Sequence, residues 1–505
     1  MSAELARVGG PLGAFGLALL LTATRRDLRI AGLGAVAAGG LALVPYLLPE
    51  ENRALVVAAG AAGLAAAAVG AVLLRRWPWA LAFGALACMP ARIPVDVGDV
   101  EANLLVPLYG VIAAGTFAFG YDLLRGDSRA RELGPLVWPL AAFVAWSGLS
   151  LLWSDDLQEG AIDLLFFFLP FGLLAVCVAR LPWSRPALQL LYALLAAMAL
   201  VFAAIGVYQW LTRDIFWNPK VAVGNAFAPF YRVNSVFWDP SIYGRFLAIA
   251  ILATLVIALC SVRRDVVLGA SALIAVIWTG LLFSFSQSSF AALIAGVLLA
   301  AAYVWRWRSA AAVGLAAVAM VTVGFSAPQV RENLLDESRR GLDRATSGRW
   351  GLIEDGARIA LDHPLEGVGL GSFKRQYAER TGLRGEEPAR AASHNTPITV
   401  AAETGLPGLA LLIWLVAVAV ATALRRAGKR RLTGRVSLFI ALALTAIAVH
   451  SLFYDAFFED PMSWGLFALA ALTAAAVASA SEPDQEGLRE RLRAIRTRER
   501  VEVNA

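Results

Sequence analysis

Apolar runs of about twenty residues recur along this chain from near its first residue to about position 480, and that recurrence limits what it can fold into. A bilayer core about 30 Å thick takes about 20 apolar residues per helix. Fifteen stretches approach this length: 9–23, 30–48, 54–74, 78–91, 103–123, 135–153, 161–179, 187–211, 241–261, 266–285, 288–305, 309–327, 397–424, 436–453 and 464–480. Hydrocarbon offers no water to a bare N–H or C=O, so each span must satisfy its own backbone as a helix. An outer-membrane barrel is excluded, because its strands alternate apolar and polar residues in short segments. Composition agrees. Of 505 residues 59% are hydrophobic and 16% charged, against about 25% charged in soluble domains, and the mean hydropathy is +0.66. A soluble enzyme, a disordered chain and a coiled coil are excluded. The expected fold is all-α, a polytopic membrane protein of 14–15 transmembrane helices with one long exterior loop.

Arginine placement orients the spans. Alternate loops, from Arg25–Arg29 through Arg425–Arg435 to the tail after Glu482, hold 26 Lys and Arg; the opposite short loops hold Arg7, Arg53, Arg92, Arg213, Lys220 and Arg232. The positive-inside rule puts the first set and the C-terminus in the cytoplasm and the N-terminus outside. In a membrane protein a net charge of +6 points to such loops and to anionic lipid, not to nucleic acid. Residues 9–23 are followed by Arg25 and Arg26 instead of a small-residue cleavage site, so no cleavable signal peptide is expected. Cys88, Cys177 and Cys260 lie far apart within apolar runs, without metal-ligand spacing, and read as small core hydrophobes.

The expected organisation is a set of N-terminal spans of unassigned role (1–134), a transmembrane core (135–327) with an exterior loop at 212–240, a long exterior loop (328–396), C-terminal spans (397–481) and a basic cytoplasmic tail (482–505). The cytoplasmic loops are too short to form a domain, so function is expected in the two exterior loops.

Four motifs carry candidate chemistry. Arg232 lies in an aromatic, apolar stretch that ends in Asp239-Pro240, a helix-start signal; Arg245 near the mouth of the next span reads as a snorkelling residue or as a further cation. Arg349, beside Trp350, is either an interfacial anchor or an anion clamp. The run Glu366-Gly367-Val368-Gly369-Leu370-Gly371-Ser372 precedes Lys374 and Arg375 in a new helix; it is either a turn between helices or a loop whose N–H groups approach an anion. No strand plausibly precedes it, so it is no dinucleotide fingerprint. His394 joins the long loop to a span in which Glu403 lies about two turns deep, and ionisable groups inside membranes are functional by default. His394 reads as a helix-start residue or as a general base; His363, before a proline, reads as structural.

The order of these motifs resembles the O-antigen ligase and polymerase superfamily of bacterial membrane glycosyltransferases. The matching residues are Arg232-Val-Asn-Ser with Asp239-Pro240, Phe283-Ser-Phe-Ser-Gln-Ser-Ser289, Ser347-Gly-Arg349-Trp350, Asp362-His-Pro-Leu with Gly367-Val-Gly-Leu-Gly-Ser-Phe373, and His394-Asn395 with Glu403-Thr-Gly405-Leu-Pro-Gly408. The resemblance covers roughly 135–480. It departs at Gln287, where the family usually carries arginine, and in a span count above the usual dozen or so.

The resemblance implies a glycan donor on undecaprenyl diphosphate, transferred to an acceptor hydroxyl on a lipid core, a glycan or another lipid-linked repeat, at the outer face of a bacterial inner membrane. This is the chemistry of lipopolysaccharide and other envelope polysaccharides. Guanidinium matches phosphate bidentately, which assigns Arg232 and Arg349, with Arg245 in reserve, to the diphosphate. Gly369, Gly371, Lys374 and Arg375 become possible loop contacts. His394 becomes the base, with Glu403 orienting it or tuning the pocket. Neither a metal nor another cofactor is expected, since the arginines neutralise the diphosphate. The competing class is a transporter or flippase; against it, the halves show no internal repeat and the polar residues gather in one exterior loop instead of at the bilayer midplane.

Overall fold

The computed structural model describes residues 2–48, 53–97, 100–227, 230–305, 314, 349–382 and 394–471. Among these, twelve helices are long and apolar enough to cross a membrane, and the chain is a polytopic helical membrane protein. In order they belong to α1 (Ser2–Thr22), α2 (Arg26–Leu47), α3 (Arg53–Arg76), α5 (Val106–Leu124), α6 (Val137–Ser150) with its 3-10 ends, the span Leu157–Ala179, α9 (Arg185–Thr212), α11 (Pro240–Cys260), α12 (Arg264–Ser284), α13 (Gln287–Trp305), α16 (Thr396–Arg426) and α17 (Leu432–His450). Shorter helices stand between them: α4 (Ala80–Cys88), α10 (Pro219–Phe227), α14 (Arg349–Asp362) and α15 (Phe373–Thr381).

Twelve of the fifteen expected spans are these helices. The stretch 309–327 lies outside the described residues except for position 314, as do 328–348, 383–393 and the tail 472–505. The expected span at 464–480 begins as a shorter apolar helix, Pro461–Ala471. The expected span at 78–91 is only the nine-residue α4, about 13 Å of helix at 1.5 Å per residue. The chain still crosses there. Arg75 at the end of α3 lies 3.6 Å from Asp122 near the end of α5, so these two ends meet at one face, and α4 with the segment after it must span the depth between. That segment is a hairpin, β1 (Ile93–Val97) and β2 (Val100–Leu104), antiparallel with Ile93 opposite Leu104 and Val95 opposite Ala102.

Local sequence explains the element boundaries. Asp239 caps α11, accepting from the Ser241 N–H at 2.6 Å, with Pro240 at the first position where no donor is needed. Apart from Arg245 and a few hydroxyls, helix α11 is apolar around its circumference, and it is buried along most of its length. The span 157–179 contains α7 (Leu157–Ile162), a π-turn at Asp163–Phe168 and α8 (Leu169–Ala179). Pro170 has no N–H for the turn before it, and the ladder widens there.

Candidate active site at the loop end of the bundle

The two glycine motifs of the long loop fit each other. Helix α16 breaks at Gly405, whose φ of 69° and ψ of −177° are not helical. Pro407 has no N–H for the Glu403 carbonyl, and the Leu406 N–H turns away from Ala402 to the Pro364 carbonyl at 2.8 Å. The break therefore frees three carbonyls. Ala402 accepts from the Val368 N–H at 2.9 Å, Glu403 from the Gly369 N–H at 2.8 Å, and Thr404 from the Trp146 indole at 2.7 Å. Gly369, at φ 91°, presses on the turn before α7 and Gly371, at φ 81°, on α7 itself; a Cβ there would lie 2.3 Å from the Ser154 Cα or 2.2 Å from the Gly160 nitrogen. Packing thus requires both glycines. The Gly369 N–H is spent on Glu403, which leaves it no hydrogen for an anion.

The same junction places charged side chains. Glu403 is buried, and its carboxylate accepts from the Phe373 N–H at 3.1 Å, capping α15 where the helix dipole favours a negative charge. The Ser372 hydroxyl accepts from the backbone N–H of Asp155 and of Asp156, both at 3.0 Å, and fixes the start of α7. Lys374, in the first turn of α15, then meets Glu159 of α7 at 2.8 Å. Burial pulls its ammonium down, but the Glu159 carboxylate outweighs this and holds it above the ordinary value.

Lys374 and Glu159 line a cavity of about 550 Å³, within the usual range for ligand sites. Its walls come from β2 (Ala102, Asn103), α7 and the π-turn (Glu159, Ile162, Asp163, Phe167), α10 (Lys220, Val221, Gly224, Asn225), the 232–242 segment, Arg92, Tyr454 and Glu459. Three of its cations have an identified carbonyl or carboxylate partner. Lys374 has Glu159. Arg92 donates to the Glu459 carbonyl at 3.1 Å, with that carboxylate 3.8 Å away. Arg232 uses its Nε on the Ser284 carbonyl at 3.3 Å, while its backbone is held by Asn225 on both sides. Among the described residues no carboxylate pairs with Arg232 or Lys220, and none of the described cations pairs with Asp163. An adjoining cleft of about 670 Å³ shares Arg92, Asn218, Lys220 and Trp238 and adds Trp217, Val236 and Pro219, so that two indoles line it.

The expected site residues separate into groups. Arg232 and Lys374 share the cavity. Arg245 does not line it; buried in α11, it is paired with Asp460 at 2.7 Å. Arg375 is spent on the Asp155 carbonyl at 2.7 Å and on Glu379. Arg349 is the first residue of α14, and the placement of its side chain lies outside the description. His394 sits at φ 53° just before α16. The cap of that helix is its neighbour Asn395, which accepts from Ile398 N–H at 3.0 Å and donates to the Leu452 carbonyl. The His394 ring lies 6.5 Å from that of Tyr454, a cavity wall, so the imidazole stands behind the rim and not in the lining. His450 is buried, bonded to Ser288 at 3.1 Å.

Sequence reasoning passed over Asp163, Lys220, Arg92 and Glu159. Asp163 had a signal: it is a lone acid in an otherwise apolar span. Lys220 is the one lysine of the 212–240 loop. No curated protein sequence matches this chain. Residues 270–413 match the family model described as O-Antigen ligase, and this stretch, which holds the serine motif, Arg349, the glycine junction, His394 and Glu403, is thereby placed in the superfamily that the motifs resembled.

Proposed function

We propose that the chain transfers a glycan from an undecaprenyl-diphosphate carrier to an acceptor hydroxyl, as an O-antigen ligase or polymerase would, at the outer face of the cytoplasmic membrane. One observation carries this reading: Arg232 and Lys220, with no carboxylate partner, share a cavity with the unpaired carboxylate of Asp163. Two spare cations match a diphosphate, and a wall of low dielectric strengthens that match. The adjoining cleft with Trp217 and Trp238 suits a carrier that stays in the lipid.

In this reading the acceptor oxygen attacks the anomeric carbon, and the bond from that carbon to the diphosphate oxygen breaks. The lipid diphosphate leaves with the electron pair and is held by Arg232 and Lys220, with Arg349 joining them from the start of α14. The acceptor proton passes to a base. His394, behind the rim beside Tyr454, is one candidate and reaches the acceptor by a side-chain rotation or through one water, since neutral imidazole is a competent base near pH 7. Asp163 is a second candidate, favoured because it lies in the cavity wall. Glu403 is a positioning residue that acts through α15 and Lys374.

The test is incubation of the purified protein with a lipid-diphosphate glycan, alone and with candidate acceptors, and mass analysis of the products. Lengthened lipid-linked glycan without added acceptor marks a polymerase, transfer to an added acceptor marks a ligase, and unchanged donor in every arm overturns the reading. His394→Asn and Asp163→Asn separate the bases. Asparagine tolerates the left-handed backbone at 394, and Asn395 remains as the helix cap. Loss of the base costs about 10²–10⁴-fold; the variant that keeps the full rate is not the base.

A further inference from the structure

A second cavity, of about 580 Å³, lies in the apolar body of the bundle, between α4, α8, α9, α11, α17 and the helix Pro461–Ala471. Its walls are mostly apolar side chains, among them Leu191, Leu195, Ile249, Val256 and Phe439. Three arginines line one end. Arg185 opens α9, Arg430 precedes α17, and Arg435 is in the first turn of α17. Among the described residues, no aspartate or glutamate lines this cavity. Among the described residues, Arg185 and Arg430 have no hydrogen bond or ion pair, and Arg435 gives only its Nε, to the Lys429 carbonyl at 2.8 Å. Trp183, two residues before Arg185, lines the same cavity, at the level where aromatic rings meet lipid headgroups.

We propose that this groove binds one anionic phospholipid of the leaflet on the arginine-rich side, with its phosphate on Arg185, Arg430 and Arg435 and an acyl chain along α9 and α11. Charge complementarity argues for the headgroup: three arginines gathered at one cavity with no lining carboxylate among the described residues attract an anion, and basic pockets between transmembrane helices take anionic lipid heads. Depth argues for the chain. From Arg185 to Leu195 the groove follows ten residues of α9, about 15 Å of helix, which is half of a bilayer core of about 30 Å. An isoprenoid carrier anchored at Arg232, at the opposite end of the bundle, would bring no charge to these arginines.

The test uses the purified full chain and native mass spectrometry with phosphatidylglycerol or phosphatidylcholine added. Phosphatidylglycerol should be retained in preference. The triple variant Arg185→Gln, Arg430→Gln, Arg435→Gln should lose that preference by on the order of 10²-fold, as expected for three surface charges at a few-fold each. The corresponding lysine triple should keep most of it. All three side chains are exposed or half-buried, so both variants leave the core intact. Equal retention of the two lipids by the wild type, which needs no variant, overturns the proposal. So does full phosphatidylglycerol retention by the glutamine triple. One-for-one displacement of phosphatidylglycerol by undecaprenyl phosphate also overturns it, and would make the groove a site for the carrier tail.

Discussion

Charged residues cluster at both ends of this bundle, and the two clusters are built differently. At the arginine-rich end, Arg29 grips Glu132 with one Nη at 2.7 and 2.9 Å. Arg180 bridges Glu132 and Asp127, both at 2.6 Å, and Arg129 adds a second contact to Asp127. The Arg29 and Arg180 guanidiniums also lie 5.5 and 4.8 Å over the Phe119 ring. Every charge in that cluster has a partner. At the other end, Lys374–Glu159 and Arg92–Glu459 are paired, while Arg232, Lys220 and Asp163 are not. Desolvating an unpaired charge is costly. A closed network is the arrangement a fold needs; an open one is what a ligand completes. Residue type does not distinguish the two ends, since both use arginine and carboxylate.

The sharpest way to break this comparison is Arg232→Ala. Glycan transfer should fall below detection while the protein still accumulates in the membrane. Arg232→Lys should rescue poorly, because the planar fork is lost. Normal turnover in Arg232→Ala would show that a charge without a carboxylate partner does not mark the site.

Glu132→Ala is the counterpart in the closed cluster. It strips Arg29 of its carboxylate partner and leaves Arg180 with Asp127 alone, both arginines being nearly inaccessible to solvent, and breaking a buried pair costs about 3–5 kcal/mol. Thermal stability of the purified protein and its yield should both drop. The surviving folded fraction should retain its affinity for donor. A variant as stable as the wild type would mean that the network is not what holds this end.

Glu403→Gln should act more mildly. The amide oxygen can still accept from the Phe373 N–H, but the amide nitrogen brings two donors where the carboxyl group carries at most one, which disturbs the buried start of α15. A few-fold rise in KM with kcat nearly unchanged is expected, from looser placement of Lys374. A kcat loss of catalytic size would instead place Glu403 in the chemistry.

The smallest effect is acid sensitivity at Asp127. Hydrogen bonds from the Arg129 guanidinium, with Arg180 beside it, hold its carboxyl down to about 2 against an ordinary 3.8. A depressed folded-state value means that the carboxylate stabilises the fold above the unfolded value and loses that contribution as pH falls toward about 2. Melting temperatures at about pH 5 and about pH 3 should therefore differ more in the wild type than in Asp127→Asn. Equal differences would remove Asp127 from the network's pH response.

The sequence alone determined the helical membrane class, twelve of the spans and the α11 cap at Asp239-Pro240. These depend on composition over about twenty residues and on backbone groups that lipid cannot satisfy, so local pattern is enough. It also marked Arg232, and the order of motifs indicated the family of residues 270–413. Only the tertiary structure decided which charges are spent. Arg245 and Arg232 lie close together in sequence and both read as anion-binding, yet Arg245 is closed by Asp460, a residue of the far C-terminal region, while Arg232 faces a cavity. The paired glycine motifs depend likewise on contacts distant in the chain. The loop reads equally as a turn or as an anion cradle until the carbonyls freed by Gly405 and Pro407 are seen to take the N–H groups of Val368 and Gly369. Asp163 was visible as a lone acid, but its place in one cavity wall with Lys374, Lys220 and Arg232, which come from other segments, is a tertiary fact. Partner status is a property of three-dimensional neighbours, and neither spacing nor residue type records it.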